Sequence, residues 1–207
     1  FILDLAGYSP TIPLHQKHLL EPSFGAGDFL LPAINRLYSA WCASNDKTSE
    51  IDDLANAIRA VELHLETYEA TRENVHALLI ELGFSSRAAN VLVERWLIHG
   101  DFLLAEIDRS FDFVVGNPPY VRQEMIPDPL LQEYRVRFPT MYDRADLYVP
   151  FFERSLSLLA SNGSLGFICS DRWMKNRYGG PLRQLVAEHF HLRVFIDMVD
   201  TPAFNSE

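Results

Sequence analysis

The chain has 207 residues, 48% of them hydrophobic and 22% charged, which predicts one globular domain. It has no apolar run of bilayer length and no visible signal peptide, which excludes a membrane-spanning protein. Its two cysteines, Cys42 and Cys169, lie far apart without metal-ligand spacing, which argues against a zinc site or a disulfide framework and predicts a reducing, cytoplasmic location. The formal net charge is −10, so either nucleic acid is not the substrate or most of the basic surface lies elsewhere, since phosphate contacts need Lys and Arg.

The first predicted elements are a short helix and a strand–turn–helix unit. Residues 1–8 carry apolar side chains at helical spacing. A short strand then leads into a tight turn at Gly25 and Gly27, and we predict a helix from about residue 28 to 43. The glycines let the backbone approach a ligand closely, and the helix amino terminus suits a carboxylate or phosphate. Leu30 takes the place of the third glycine of the dinucleotide fingerprint, which argues against an NAD or FAD enzyme.

Two further predicted strands end at acidic residues. Residues 58–63 read as the second strand, ending at Glu62, and an acid at this place in such folds accepts hydrogen bonds from both ribose hydroxyls. A third strand over 97–104 leads to Asp101 and Phe102. The connecting segments are predicted as a polar loop over 44–53 and helices over 65–82 and 87–96.

The fourth predicted strand carries the most informative motif of the chain. Residues 111–115 are mainly aromatic or β-branched, as a buried parallel strand requires. The residues that follow are Asn117, Pro118, Pro119 and Tyr120. The prolines fix φ twice and remove two backbone donors, so the loop is stiff and offers acceptors without donors. The Asn117 side-chain oxygen and the Pro118 carbonyl can both accept from one amino group, while Tyr120 offers a stacking face. This combination suits an exocyclic amine on a flat ring.

The remaining segments continue the alternation of strands and helices. They are a loop over 121–142, a helix over 146–159, a turn at 162–163, a fifth strand over 164–170, a helix over 180–189, a sixth strand over 192–198 and no element over 201–207. The alternation predicts an α/β fold with a doubly wound, mostly parallel sheet of six strands.

In this order, the motifs resemble those of the S-adenosylmethionine-dependent DNA adenine-N6 methyltransferases, the Asn-Pro-Pro-Tyr amino-methyltransferases of restriction–modification and phage-defence systems. The segment at 117–120 is similar to family motif IV, the glycine turn with its Glu-Pro start to motif I, Asp-Phe at 101–102 to motif III, and Asp-Leu-Tyr at 146–148 to motif V. The resemblance implies a Rossmann-like methyltransferase fold and methyl transfer from S-adenosyl-L-methionine to the N6 amine of a flipped adenine in DNA.

The resemblance also assigns residues to the site. The methionine part of the cofactor would be wrapped by Glu21, Pro22, Phe24, Gly25, Gly27, Asp28 and Phe29. Glu62 would bind the ribose, Asp101 would take the amino group of the cofactor's adenine, and Phe102 would pack on that ring. Asn117, Pro118, Pro119 and Tyr120 would act on the target base. No metal is required.

Three departures from the family pattern concern the ends of the chain. Most of motif X is absent upstream, a seventh strand is expected beyond Glu207, and no target-recognition domain is present. We therefore expect residues 1–207 to form a partial catalytic domain, truncated at both ends, that contacts DNA mainly through a recognition domain missing from this chain. Two alternatives remain open: an amino-methyltransferase acting on ribosomal RNA or on a protein glutamine, and a non-catalytic cofactor-binding module.

Overall fold

A five-stranded parallel sheet lies at the centre of the computed structural model, which describes residues 1–198. The strands are β1 (Leu19–Glu21), β2 (Ile58–Glu62), β3 (Leu97–His99), β4 (Phe111–Gly116) and β5 (Leu159–Phe167). Their order across the sheet is β3-β2-β1-β4-β5, and each neighbouring pair is parallel. The order therefore reverses between β1 and β4, and in open α/β sheets ligands bind outside the carboxyl ends of the strands at such a switch point.

Nine α-helices connect or flank these strands within the described residues. They are α1 (Ile2–Ala6), α2 (Leu30–Ala43), α3 (Glu50–Leu54), α4 (Leu65–Glu81), α5 (Ser86–Trp96), α6 (Asp128–Arg137), α7 (Tyr148–Ser157), α8 (Arg172–Lys175) and α9 (Gly180–His189). Local sequence explains several helix starts: the Ser85 side chain accepts from the Ala88 N–H at 3.2 Å to cap α5. Within residues 1–198, no helix has both the length and the apolar character that crossing a membrane would require.

The core is divided by the sheet into two hydrophobic clusters. Side chains alternate along β4, so Phe113 and Val115 join the cluster formed with α2, α4 and α5, whereas Val114 joins the cluster formed with α6, α7 and α9. Because both faces of β4 are covered, its residues 113–115 are continuously apolar instead of alternating. Burying each such side chain contributes about 1.5–3 kcal/mol, so the strand that leads to 117–120 is firmly anchored.

Most predicted elements are confirmed, but one strand boundary was wrong and two predicted loops contain helices. The third strand ends at His99 and not at residue 104, because the Leu104 N–H turns back to the Asp101 carbonyl at 3.0 Å. The polar loop over 44–53 contains the start of α3, capped by Ser49, whose hydroxyl accepts from the Asp52 N–H. The predicted loop over 121–142 contains helix α6, since Pro129 lies in the first turn of a helix, where proline is tolerated.

The far edge of the sheet also differs from the prediction. β5 begins at Leu159 and includes the predicted turn as an irregularity, with Asn162 at φ 64°. Residues 192–198 form no strand, so the described sheet has five strands and not six. A strand is stabilised only by pairing, and the apolar side chains of this segment remain about half exposed. The expectation for residues 201–207 lies outside the described part of the chain.

Candidate active site

The predicted site residues meet at the carboxyl ends of the strands, on the side of the sheet where open α/β folds have their ligand-binding crevice. Glu21 and Glu62 are the last residues of β1 and β2, and Asn117 directly follows β4. Because the strands are parallel, their carboxyl ends lie side by side. Ser23 Oγ donates to the Asn117 carbonyl at 3.1 Å, and the Gly100 N–H donates to the Glu62 carbonyl at 2.9 Å. One hydrogen bond thus joins the loops after β1 and β4, and another joins the loop after β3 to the end of β2.

The glycine turn after β1 has one crowded and one open glycine. Both have left-handed backbone angles, φ 50° at Gly25 and 90° at Gly27, which favour glycine. A Cβ on Gly27 would lie 3.2 Å from Leu31 Cγ and from Thr71 Cγ2, whereas a Cβ on Gly25 would meet nothing within 4 Å. A side chain at Gly27 would therefore be strained by its positive φ and by close contacts, whereas Gly25 leaves space for a ligand to approach the backbone.

Hydrogen bonds from β2 and α4 hold that turn in place. Glu62 Oε2 accepts from the Gly25 N–H at 3.0 Å, and Oε1 accepts from the His64 N–H at 2.8 Å. Thr71 Oγ1 donates to the Gly25 carbonyl at 2.7 Å. The carboxylate predicted to bind a ribose also shapes the loop predicted to wrap the methionine part.

The other predicted motif I residues divide into core and surface positions. Phe24 is 2% exposed and packs against Tyr68, with ring centroids 6.0 Å apart. Phe29 precedes α2 and packs on the core, and Pro22 is buried. Asp28 is exposed. Phe24, Pro22 and Phe29 therefore shape the turn from beneath it.

Glu21 is the most unusual group at this edge. Its side chain is completely buried, and neither carboxylate oxygen has a hydrogen-bond partner. Burial raises the pKa of Glu21 well above its ordinary value, and the nearby charges of Asp28 and Glu62 raise it further. A buried, unpaired carboxyl group is costly to the fold, so its presence at a switch point marks it as a functional candidate.

Asp101 lies just beyond β3 and is held from two sides. Its Oδ1 accepts from the Leu103 N–H at 2.9 Å, and its Oδ2 accepts from the Tyr134 hydroxyl at 2.6 Å. Phe102 is 2% exposed, and its ring packs against Phe151 at 5.0 Å. The Phe102 ring therefore lies in the core and is not open to the crevice, which differs from the predicted packing on a cofactor's adenine.

The Asn-Pro-Pro-Tyr loop presents an unused acceptor beside an exposed ring. Asn117 Oδ1 is buried and has no hydrogen-bond partner. Pro118 is buried and Pro119 half-buried. Tyr120 is 54% exposed, and its hydroxyl donates to the Ile168 carbonyl at 3.2 Å. Burial raises the pKa of Tyr120 to about 12, so the hydroxyl stays neutral at physiological pH.

Sequence reasoning missed Ser23, Thr71 and Tyr134, which hold the site together from a distance. Each contacts a residue at least 33 positions away along the chain. Only Thr71 had a signal, because it lies four residues before Val75 and eight before Leu79 on the buried face of α4. A hydroxyl on an apolar face needs a partner, and here that partner is the glycine turn.

The two described cavities lie away from this edge. One, of about 300 Å³, lies near the amino ends of β2 and β4 and is lined by residues such as Arg59, Arg95 and Arg109. The other, of about 290 Å³, lies between α8 and α9 beside Trp173 and Phe190. Over residues 1–198, no group of three or more His, Cys, Asp or Glu side chains is arranged to hold a metal ion.

Comparison with known proteins adds independent findings. Residues 39–204 match the family model of the Eco57I restriction-modification methylase. Over all 207 residues the chain is 66% identical to the Type II methyltransferase M.PaeR7I of Pseudomonas aeruginosa and 56% identical to the Type II methyltransferase M.XhoI of Xanthomonas vasicola. It spans 36% and 38% of their lengths. The M protein of the Type I restriction enzyme EcoKI matches 90% of this chain and 37% of its own with a TM-score of 0.56 at 14% identity, a likeness of fold.

Proposed function

Because this chain belongs to the Eco57I restriction-modification methylase family, we propose that it is the catalytic part of an S-adenosylmethionine-dependent methyltransferase that modifies the N6 amine of a flipped adenine in DNA. The observation that carries the proposal is the buried, unpartnered Asn117 Oδ1 beside the exposed Tyr120 ring at the switch point of the sheet. The names of the relatives, both Type II methyltransferases, support transfer to DNA. Sequence recognition then belongs to a domain outside this chain.

The residues at the crevice suit this cofactor. S-adenosylmethionine carries a positive sulfonium and a positive ammonium group, and the carboxyl group of Glu21, which has no hydrogen-bond partner, lies at the carboxyl end of β1 next to the glycine turn. The open space at Gly25 admits the methionine part close to the backbone. When bound, the cofactor supplies an electrophilic methyl group.

Each acidic residue has a separate role in holding the cofactor. Glu62 accepts one backbone donor on each oxygen and, with two lone pairs per oxygen, retains capacity for the two ribose hydroxyls. Asp101 retains the same capacity for the adenine amino group. Phe102 supports Asp101 from the core, where its ring is packed. Glu21 becomes stable as a carboxylate once a positive group lies beside it.

The Asn-Pro-Pro-Tyr loop positions the nucleophile. Asn117 Oδ1 and the Pro118 carbonyl accept hydrogen bonds from the two N6 hydrogens of the target base. This draws the nitrogen towards tetrahedral geometry and directs its lone pair at the methyl group. The Tyr120 ring stacks on the base, and the two prolines keep both acceptors in place. Catalysis consists mainly of holding the nucleophile and the methyl group in line.

The direct test is transfer of a labelled methyl group by the full-length protein to DNA, RNA and protein substrates in parallel, with Asn117→Ala as the matched control. We expect label in DNA, recovered as N6-methyladenine after digestion, and its loss in the Asn117→Ala variant. Label in RNA or in a protein glutamine, but not in DNA, would select the alternative substrates. No transfer to any substrate, with cofactor still bound, would instead indicate a non-catalytic module.

A further inference from the structure

Helix α6 directly contacts Asp101, the residue proposed to bind the adenine of the cofactor. Tyr134 is 3% exposed and lies on the inner face of α6. Its hydroxyl donates to Asp101 Oδ2 at 2.6 Å, a short distance that is typical of a hydroxyl bonded to an ionised acceptor. Burial and the hydrogen bond to Asp101 both raise the pKa of Tyr134, so the hydroxyl keeps its proton. The bond is therefore a stable donor–acceptor pair.

The geometry of Asp101 depends on this contact. Oδ1 is fixed by the Leu103 N–H within its own loop, whereas Oδ2 is fixed by a side chain from α6. A carboxylate held at one oxygen only can still rotate about its side-chain torsions. Held at both oxygens, it presents its remaining lone pairs in one direction. Tyr134 thus supplies the second of the two constraints.

The segment that carries α6 begins immediately after the Asn-Pro-Pro-Tyr loop. The Leu147 N–H donates to the Val121 carbonyl at 2.9 Å, which closes residues 121–147 into one excursion from the sheet. Within it, an Arg135 nitrogen donates to Gln123 Oε1 at 2.9 Å and to the Asp143 carbonyl at 3.2 Å. The two ends of the excursion therefore lie next to the Asn-Pro-Pro-Tyr loop, and its helix α6 is hydrogen-bonded to Asp101.

We propose that Tyr134 is a positioning residue that orients Asp101 towards the 6-amino group of the cofactor's adenine and so ties the 121–147 excursion to the cofactor site. This proposal rests on the proposed function, because it assumes that Asp101 accepts from that amino group. Tyr134 itself does not touch the cofactor. It acts only through the orientation of Asp101, and its loss weakens the preference of the site for a 6-amino purine.

The test compares two stable ligands in the full-length protein by calorimetry: S-adenosylhomocysteine, which has a 6-amino group, and S-inosylhomocysteine, which has a 6-oxo group. The wild-type protein should prefer the amino ligand. Tyr134→Phe keeps the buried ring and removes only the hydroxyl, and it should reduce this preference by about tenfold or more, as loss of one hydrogen bond to a charged group implies. Because the readout is a ratio within each variant, partial loss of folded protein does not affect it.

Tyr142→Phe is the matched control, since Tyr142 lies on the same excursion and is 45% exposed. Its preference for the amino ligand should equal that of the wild type. A Tyr134→Phe variant with unchanged preference would overturn the proposal and leave the proposed function standing. A wild-type protein without preference for the amino ligand, or without affinity for either, would remove the assignment of Asp101, and the proposal with it.

Discussion

Glu62 at the end of β2 accepts a hydrogen bond from the Gly25 N–H in the turn after β1, with 3.0 Å between Oε2 and the nitrogen. One carboxylate therefore connects the two loops proposed to hold adjoining parts of the cofactor, the ribose and the methionine part. A second backbone donor, from His64, holds the other oxygen. The ribose position and the methionine position are consequently not independent, and a change at Glu62 should affect both.

Glu62→Ala should weaken S-adenosylmethionine binding by an order of magnitude or more. Each hydrogen bond to a charged acceptor contributes about 1.5–3 kcal/mol, and the variant also releases the Gly25 turn. Calorimetry on protein that binds the cofactor provides the measurement, with the exposed Glu66→Ala in α4 as control. Glu62→Gln, which keeps one acceptor oxygen, should bind the cofactor with an affinity between those of the wild type and Glu62→Ala. Unchanged affinity in Glu62→Ala would show that the ribose is bound elsewhere.

Glu21→Gln should become progressively more stable than the wild type as the pH rises. The raised pKa of Glu21 means that the folded state keeps a proton that the unfolded state releases above pH 4.5. The stabilising contribution of this carboxyl group is therefore complete below pH 4.5 and is lost as the pH rises through the folded-state pKa. Gln does not titrate, so the difference in Tm between Glu21→Gln and wild type should grow over that interval.

Thermal unfolding followed by circular dichroism from pH 4.5 to 8 measures this difference without cofactor. A shift of one pKa unit is about 1.4 kcal/mol, and about 1 kcal/mol moves Tm by about 2–4 °C in a domain of this size. The exposed Glu66→Gln serves as control and should show a constant difference. A Tm difference between Glu21→Gln and wild type that is also constant with pH would show that the pKa of Glu21 is not raised in the folded state.

Asn117→Ala should abolish most methyl transfer while leaving cofactor affinity close to that of the wild type. The target amine would be left with an unpaired donor in a desolvated site, at a cost of about 1–3 kcal/mol, and the orientation of the nucleophile would also be lost. Because Oδ1 has no partner in the fold, its removal should not lower Tm. Single-turnover transfer, calorimetry and thermal unfolding on one preparation separate these effects. Near-normal methyl transfer by Asn117→Ala would show that Asn117 Oδ1 does not position the target amine.

Tyr120→Ala should be much more damaging to transfer than Tyr120→Phe. The ring provides a stacking surface that contributes about 1–3 kcal/mol per base. The hydroxyl donates to the Ile168 carbonyl at 3.2 Å, so Tyr120→Phe loses only a net contribution of about 0.5–1.5 kcal/mol to loop position. Transfer rates of both variants at saturating cofactor test the comparison. Equal damage would mean that the hydroxyl, rather than the ring, serves the reaction.

The 207-residue chain by itself should bind DNA weakly and without sequence preference. Its formal net charge of −10 repels the phosphate backbone, since affinity for DNA depends on phosphate neutralisation by Lys and Arg. A gel-shift assay at physiological salt, with duplexes of several sequences, measures this. Tight binding to one sequence would show that this chain contains its own recognition surface.

The sequence by itself determined the location of five strands, the glycine turn and the Asn-Pro-Pro-Tyr loop, but it also predicted a sixth strand over 192–198 that those residues do not form. These features depend on neighbouring residues: the apolar run of 113–115 suits a strand covered on both faces, and Gly25 and Gly27 adopt the positive φ that their lack of a side chain permits. The prolines at 118 and 119 fix their own backbone. The order of these motifs along the chain also indicated the fold class, because each one follows a strand of a parallel sheet.

Only the tertiary structure decided which side chains face the crevice and what holds them. The bond from Tyr134 to Asp101 spans 33 residues, and Glu21 differs from Glu62 in having no backbone donor nearby. The inward direction of Phe102 and the absence of a strand over 192–198 depend likewise on what packs against those residues. Hydrogen-bond partners and pairing strands are supplied by distant segments, so local sequence patterns carry no information about them.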